Sequence, residues 1–167
     1  MKIQVGSLSE GTHEYRFRTD AGDIQLGEGF SGEVTVNATM QKTGHQLALR
    51  ARITAQGTFI CDRCTSPFTL RLAPEYRMFY VWNETDAESL DPSEVQVISA
   101  GLPIVDLTDD VRQTVLLSVP LKLLCKQDCR GLCPDCGIDL NTGTCACMSA
   151  SVDSRFESLR GFTPDTN

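Results

Sequence analysis

The stretch Val34-Thr35-Val36-Asn37-Ala38-Thr39-Met40-Gln41-Lys42-Thr43-Gly44-His45-Gln46-Leu47-Ala48-Leu49-Arg50-Ala51-Arg52-Ile53-Thr54-Ala55-Gln56-Gly57 decides the fold class. Val34, Val36, Ala38 and Met40 alternate with polar residues until Gly44, and Leu47, Leu49, Ala51, Ile53 and Ala55 alternate again until Gly57. Apolar residues at every second position fall on one side of a pleated strand. The stretch therefore reads as two half-buried strands joined by a hairpin turn at Lys42-Thr43-Gly44-His45.

Working outward, residues 68–72 form a further strand-like run that stops near Pro74, and Tyr76, Met78, Tyr80 and Trp82 resume the alternation. These aromatics are read as strand residues packing on a sheet core in preference to a binding stripe. Residues 83–94 are acidic, contain Pro92 and lack any period, which reads as a solvated loop. Val95 and Val97 mark a short strand. The oxygens of Asp106-Leu107-Thr108-Asp109-Asp110 suit a helix start, because they satisfy free N–H groups and favour the positive end of the dipole. Leu107, Val111 and Val115 recur every four residues, Leu116 and Leu117 widen the apolar face, and Pro120 stops the pattern, predicting a helix at about 106–119. A second short helix is predicted over 152–160, capped by Ser151, with Val152, Phe156 and Leu159 on one face.

Hydrophobic residues make up 41% of the 167 and charged residues 22%, the composition of a folded domain. No apolar run approaches the roughly 18–20 residues that cross a bilayer, and no secretory signal follows Met1. The expected location is cytoplasmic, where thiols stay reduced. The net charge of −7 is uneven: residues 61–120 hold four basic and ten acidic groups, while the flanking segments are nearly balanced. A chain of that sign does not grip a phosphate backbone by bulk attraction. It suits a basic protein partner, or RNA held at a local basic spot.

Eight cysteines, Cys61, Cys64, Cys125, Cys129, Cys133, Cys136, Cys145 and Cys147, are too many and too crowded for buried bystanders. Cys61-Asp62-Arg63-Cys64 allows both sulfurs to face one ion about 2.3 Å away. The same C-x-x-C serves redox enzymes, but that role wants a helix at its first cysteine within a βαβ unit; here strands flank it and Pro67 follows. In Cys133-Pro134-Asp135-Cys136-Gly137, proline stiffens the loop, and glycine lets the chain turn so that backbone N–H groups face the sulfurs. Cys133, Cys136, Cys145 and Cys147 are close enough in sequence to close one tetrahedral site, leaving Cys61, Cys64, Cys125 and Cys129 for a second. Two other arrangements remain open: Cys61 and Cys64 facing Cys133 and Cys136, or a single zinc with several free thiols. All-thiolate sites leave no position for water and are structural. An iron–sulfur cluster would also accept four cysteines, but paired knuckles are the spacing of zinc ribbons. Two structural Zn²⁺ ions are the expected cofactors; with them the chain would stand at about −11.

His13 and His45 lie far in sequence from the cysteines, and no phosphate-loop, dinucleotide-binding, zinc-protease or nucleophile-elbow motif is present, so an enzyme is poorly supported. The resulting fold class is α+β. It comprises an antiparallel β-rich domain over 1–120 with a few short helices, and a Cys-rich zinc-binding module over 121–167.

The order of features resembles the YceD family, bacterial and plastid proteins linked to accumulation of large-subunit ribosomal RNA. The resemblance is carried by Leu8-x-x-Gly11, Tyr15-Arg16-Phe17, Cys61-Asp62-Arg63-Cys64-Thr65-Ser66-Pro67-Phe68, Val119-Pro120-Leu121-Lys122, Gly131-Leu132-Cys133-Pro134-Asp135-Cys136-Gly137, Cys145-x-Cys147 and Asp153-Ser154-Arg155-Phe156. It implies a non-enzymatic factor in maturation of the large ribosomal subunit, with a subunit precursor, ribosomal protein or ribosomal RNA as partner. Neither membrane nor DNA is expected as a partner, the latter because of the acidic balance. Lys122, Lys126 and Arg130, spaced by four around Cys125 and Cys129, are the weak candidate phosphate contacts, weighed against a plain role offsetting thiolate charge. The rival expectation is a thiol-based redox or metal-responsive regulator in which Cys61 and Cys64 cycle between dithiol and disulfide.

Overall fold

The computed structural model describes residues 1–99, 101, 103–147 and 155. The alternating stretch forms β3 (Glu33–Thr43) and β4 (Gln46–Ile60), preceded by β1 (Lys2–Gln4) and β2 (Gly11–Asp20). There follow β5 (Pro67–Leu72), β6 (Glu75–Val81), α1 (Glu84–Ala87), β7 (Val95–Val97), β8 (Ile104–Asp106) and α2 (Thr108–Leu117). The main sheet runs β2-β3-β4-β6-β7, with β5 also on β4, while β1 and β8 form a separate antiparallel pair.

β3 and β4 pair from Thr35↔Thr54 to Thr43↔Gln46, so Gly44 and His45 are the loop. Gly44 takes φ +54, the left-handed value that tight hairpins demand. Pleating then sorts the side chains. Val34, Val36, Ala38, Met40, Leu47, Leu49, Ala51, Ile53 and Ala55 are all 2% exposed or less, and their polar neighbours face solvent. α2 covers the apolar face through Val111 and Val115, with Leu107, Ile3, Val5 and Val105 completing the same core.

β5 and β6 share one register on β4, Ala55↔Leu72 and Arg52↔Glu75, so they are one strand interrupted at Ala73-Pro74. Proline has no N–H for the ladder, and its carbonyl instead accepts from Ile53 N at 2.9 Å.

The structure departs from the sequence reading in three places. Within the acidic stretch, Asn83 accepts from Asp86 N at 2.9 Å and caps the four-residue α1, a helix too short to show a period. β7 pairs with β6 in parallel, so the sheet is not wholly antiparallel. The helix expected at about 106–119 spans Thr108–Leu117, because pairing with β1 keeps the chain extended as far as Asp106. Asp106 still serves the helix start, its Oδ1 accepting from Thr108 N at 3.0 Å. The helix predicted over 152–160 lies outside the described residues apart from Arg155.

Candidate metal centres

β4 ends at Ile60 and delivers Cys61 straight from the sheet; the knuckle occupies the residues before β5 begins at Pro67. Two backbone bonds close it: Cys61 N donates to Ser66 O and Thr65 N to Cys61 O, both at 2.9 Å. Thr65 adopts φ +57, unusual for a β-branched residue. Gly137 stands in the equivalent place after Cys136, with φ +72 and its N donating to Cys133 O at 2.9 Å. The two C-x-x-C segments therefore share one local turn.

The eight sulfurs gather in two groups, Cys61, Cys64, Cys125 and Cys129, and Cys133, Cys136, Cys145 and Cys147, with all sulfurs of a group within 4.8 Å of one another. This is the first partition that the spacing suggested. Each group can hold a metal ion. Cys61 and Cys129 sulfurs are 3.8 Å apart, Cys64 and Cys125 3.7 Å, and Cys133 and Cys145 3.5 Å. All eight are free cysteines. A tetrahedron with Zn–S bonds of about 2.3 Å has edges of about 3.8 Å, and these three separations lie near that value.

The first group is buried: Cys61, Cys64 and Cys129 are 0%, 4% and 2% exposed and form a small apolar cluster with Phe68, Leu124 and Leu132. Asp62 bridges to the tail, its N donating to Leu123 O at 2.8 Å and its Oδ2 accepting from Leu123 N at 2.7 Å. Arg63 Nη1 donates to Cys129 O at 2.7 Å, and Arg63 O accepts from Leu132 N at 3.2 Å. Gly131 (φ +78) passes so close that a Cβ would sit 3.1 Å from Arg63 O. The second group is more open, with Cys136 and Cys147 exposed. Asn141 links the two: its Nδ2 donates to Cys129 Sγ at 3.4 Å and its Oδ1 accepts from Arg130 N at 2.9 Å.

Electrostatics favour a cation. Burial acts to raise the Cys61 thiol, yet the backbone amides of Cys125, Cys64 and Arg63 outweigh it and bring the pKa down to about 6. Backbone amides of Cys136 and Asp135 likewise lower Cys133 to about 7. Burial and the neighbouring thiols push Cys125 up to about 12, and the Cys136 side chain followed by burial does the same to Cys147. One thiolate per group forms readily and then opposes ionisation of its neighbours. A soft divalent cation removes that repulsion.

Lys122, Lys126 and Arg130 are all exposed on the segment bearing Cys125 and Cys129. His13 bonds to Ser9 O, and neither histidine joins a cysteine group. Sequence reasoning missed Asp62 and Arg63 as docking residues and Asn141 as a sulfur donor. Asn141-Thr142-Gly143 is a turn-forming sequence with no local sign of this role, since the Asn141 amide reaches Cys129 only through the tertiary fold.

Gly137→Ala is expected to cost about 1–2 kcal/mol, because a Cβ meets nothing within 4 Å and only the left-handed backbone is penalised. Metal retention by the second group should weaken by about five- to thirtyfold, read by competition with a chromophoric chelator. The first group should be unaffected.

A β-sheet protein carrying two tetracysteine centres is the class that fold and site define. The chain belongs to the YceD family: the model described as "Large ribosomal RNA subunit accumulation protein YceD" matches residues 49–163, from within β4 through both cysteine groups. Similar proteins include an uncharacterized protein of Mycobacterium bovis and two from strains of Mycobacterium tuberculosis. Each is 31% identical over 85 residues, covering 48% of this chain and 38% of the relative, so the match spans under half of either length. No solved structure matches the chain. Among the described residues no helix is long and apolar enough to cross a membrane.

Proposed function

We propose that the protein is a non-enzymatic, cytoplasmic factor supporting accumulation of large-subunit ribosomal RNA, with one structural Zn²⁺ in each cysteine group. The family match carries the biological half of this reading. The metal half rests on eight thiols gathered in two sets of four, donors that suit zinc and would fill a tetrahedral ion's four positions, leaving none for a substrate. In this reading residues 121–147 form a zinc module pinned to the β-sheet by the first ion. Lys122, Lys126 and Arg130 offset thiolate charge beside it in preference to contacting phosphate.

The redox alternative requires Cys61 and Cys64 to be accessible, and both are buried. Deleting the gene should lower mature large-subunit RNA relative to small-subunit RNA, and an unchanged ratio with normal subunit profiles overturns the assembly reading. Elemental analysis of purified protein should return two zinc ions per chain. Iron, or reversible dithiol–disulfide cycling with zinc release, would point elsewhere.

A further inference from the structure

Alternation that buries one face of the main sheet exposes the other, and the exposed face gathers arginines. Arg16 and Arg18 of β2, Arg50 and Arg52 of β4, Arg71 of β5 and Arg77 of β6 all lie on it. They are six of the eleven arginines in the chain. Register aligns them in rows: Arg16, Asn37, Arg52 and Glu75 across four strands, and beside it Glu14, Thr39, Arg50 and Arg77. Adjacent strands are about 4.8 Å apart and same-face neighbours along a strand about 7 Å. Arg50 thus faces Arg77 directly and has Arg52 beside it, with one carboxylate between them: Glu75 takes both Arg50 (2.6 Å) and Arg52 (3.1 Å). Among the described residues, Arg16, Arg71 and Arg77 have no ion pair.

Like charges placed opposite one another weaken a sheet, so packing does not account for this cluster. The outward positions of these strands carry six arginines against Glu14, Asp20, Glu33 and Glu75, a balance of +2, which leaves −9 of the chain's −7 for everything else. The acidic stretch before β7 contributes −5 of that (Glu84, Asp86, Glu88, Asp91 and Glu94), and α2 a net −1. At physiological salt the screening length is about 8 Å, so a polyanion on the inner rows of the sheet feels the arginines most, with Glu94 and Asp110 sharing a cleft with Arg77 only at the β6 edge.

We propose that this exposed sheet face is a docking surface for the phosphate backbone of RNA, with Arg16, Arg50, Arg52, Arg71 and Arg77 as its phosphate contacts. Naming the RNA as a large-subunit precursor rests on the assembly reading above. Planar guanidiniums suit phosphate oxygens. The residues between them, Thr35, Asn37, Thr39 and Gln41, offer hydroxyls and amides for phosphate and 2′-OH groups. An acidic protein partner would want apolar anchors at the centre of its interface. Of the exposed large hydrophobics, Ile60 at the far end of β4 and Val97 on the edge strand β7 lie on this face, at opposite ends and outside the arginine rows.

The test is fluorescence anisotropy with a labelled large-subunit precursor transcript and with labelled poly-aspartate, across a salt series. Removing three phosphate contacts in R16Q/R71Q/R77Q should weaken RNA binding by about tenfold or more and lower the salt slope by about 2–3. K122Q/K126Q/R130Q should bind nearly as the wild type does. E75Q is the companion variant: it raises the face from +2 to +3 and should tighten binding, a gain that misfolding cannot mimic. Loss carried by the tail triple, an unaffected R16Q/R71Q/R77Q, or tight binding to poly-aspartate and not RNA overturns the proposal. A deletion strain with a normal RNA ratio defeats the assembly reading alone, and the binding series then judges the face by itself.

Discussion

Cys61→Ser is expected to empty the first metal centre and to lower the melting temperature by about 10 °C or more, since a structural metal contributes its binding free energy to the folded state. Cys61 emerges from the longest strand, is fully buried, and shares its cluster with Cys125 and Cys129 from beyond α2. Sixty residues separate Cys64 from Cys125, so a metal bound here would close a long loop and hold the tail on the sheet. The second centre closes a much shorter one, from Cys133 to Cys147. Cys136→Ser should therefore release one metal with a far smaller change in melting. Metal-to-protein ratios and calorimetry on the two variants check the contrast, and a Cys61→Ser protein that keeps both metals and its melting temperature would contradict the assignment.

Ile53→Ala is expected to cost about 2–5 kcal/mol through lost burial and the cavity left behind. Ile53 is 0% exposed, faces Val36 across the β3–β4 ladder and lies beside the Pro74 interruption, where its N–H bonds Pro74 O. Its neighbours are strand residues and cannot collapse freely into the gap. The urea midpoint should fall at constant slope. Because β4 carries Cys61, metal in the first centre should be lost together with the sheet, while the second centre, built wholly from residues 133–147, retains its ion to higher denaturant. Release of both metals in one step would instead make the tail and sheet a single cooperative unit.

Much of the scaffold was legible because its signals are local. Val34 to Ala55 alternate through two strands long enough to show the period, and Leu107, Val111 and Val115 mark one helix face, each 0% exposed. Of the missed elements, β2 is long but has no fully buried residue to mark its inner face, and the others were too short or their pairing too distant. α1 has four residues and is held by its Asn83 cap, not by a repeating face. β1 and β8 have three residues each and meet from about a hundred positions apart, which moved the start of α2 to Thr108.

The site divides along the same line. Cysteine spacing alone suffices to gather Cys133, Cys136, Cys145 and Cys147, because knuckle geometry is a property of a few consecutive residues. Joining Cys61 and Cys64 to Cys125 and Cys129 needs the sheet, the Asp62–Leu123 bonds and the close pass of Gly131 over Arg63. Charge shows the difference most plainly. Sequence determines that the chain is acidic overall and that Arg50 and Arg52 point away from Leu49 and Ala51. Only strand register, set by pairings up to several tens of residues apart, brings Arg16, Arg52, Arg50 and Arg77 onto adjoining rows of one exposed face.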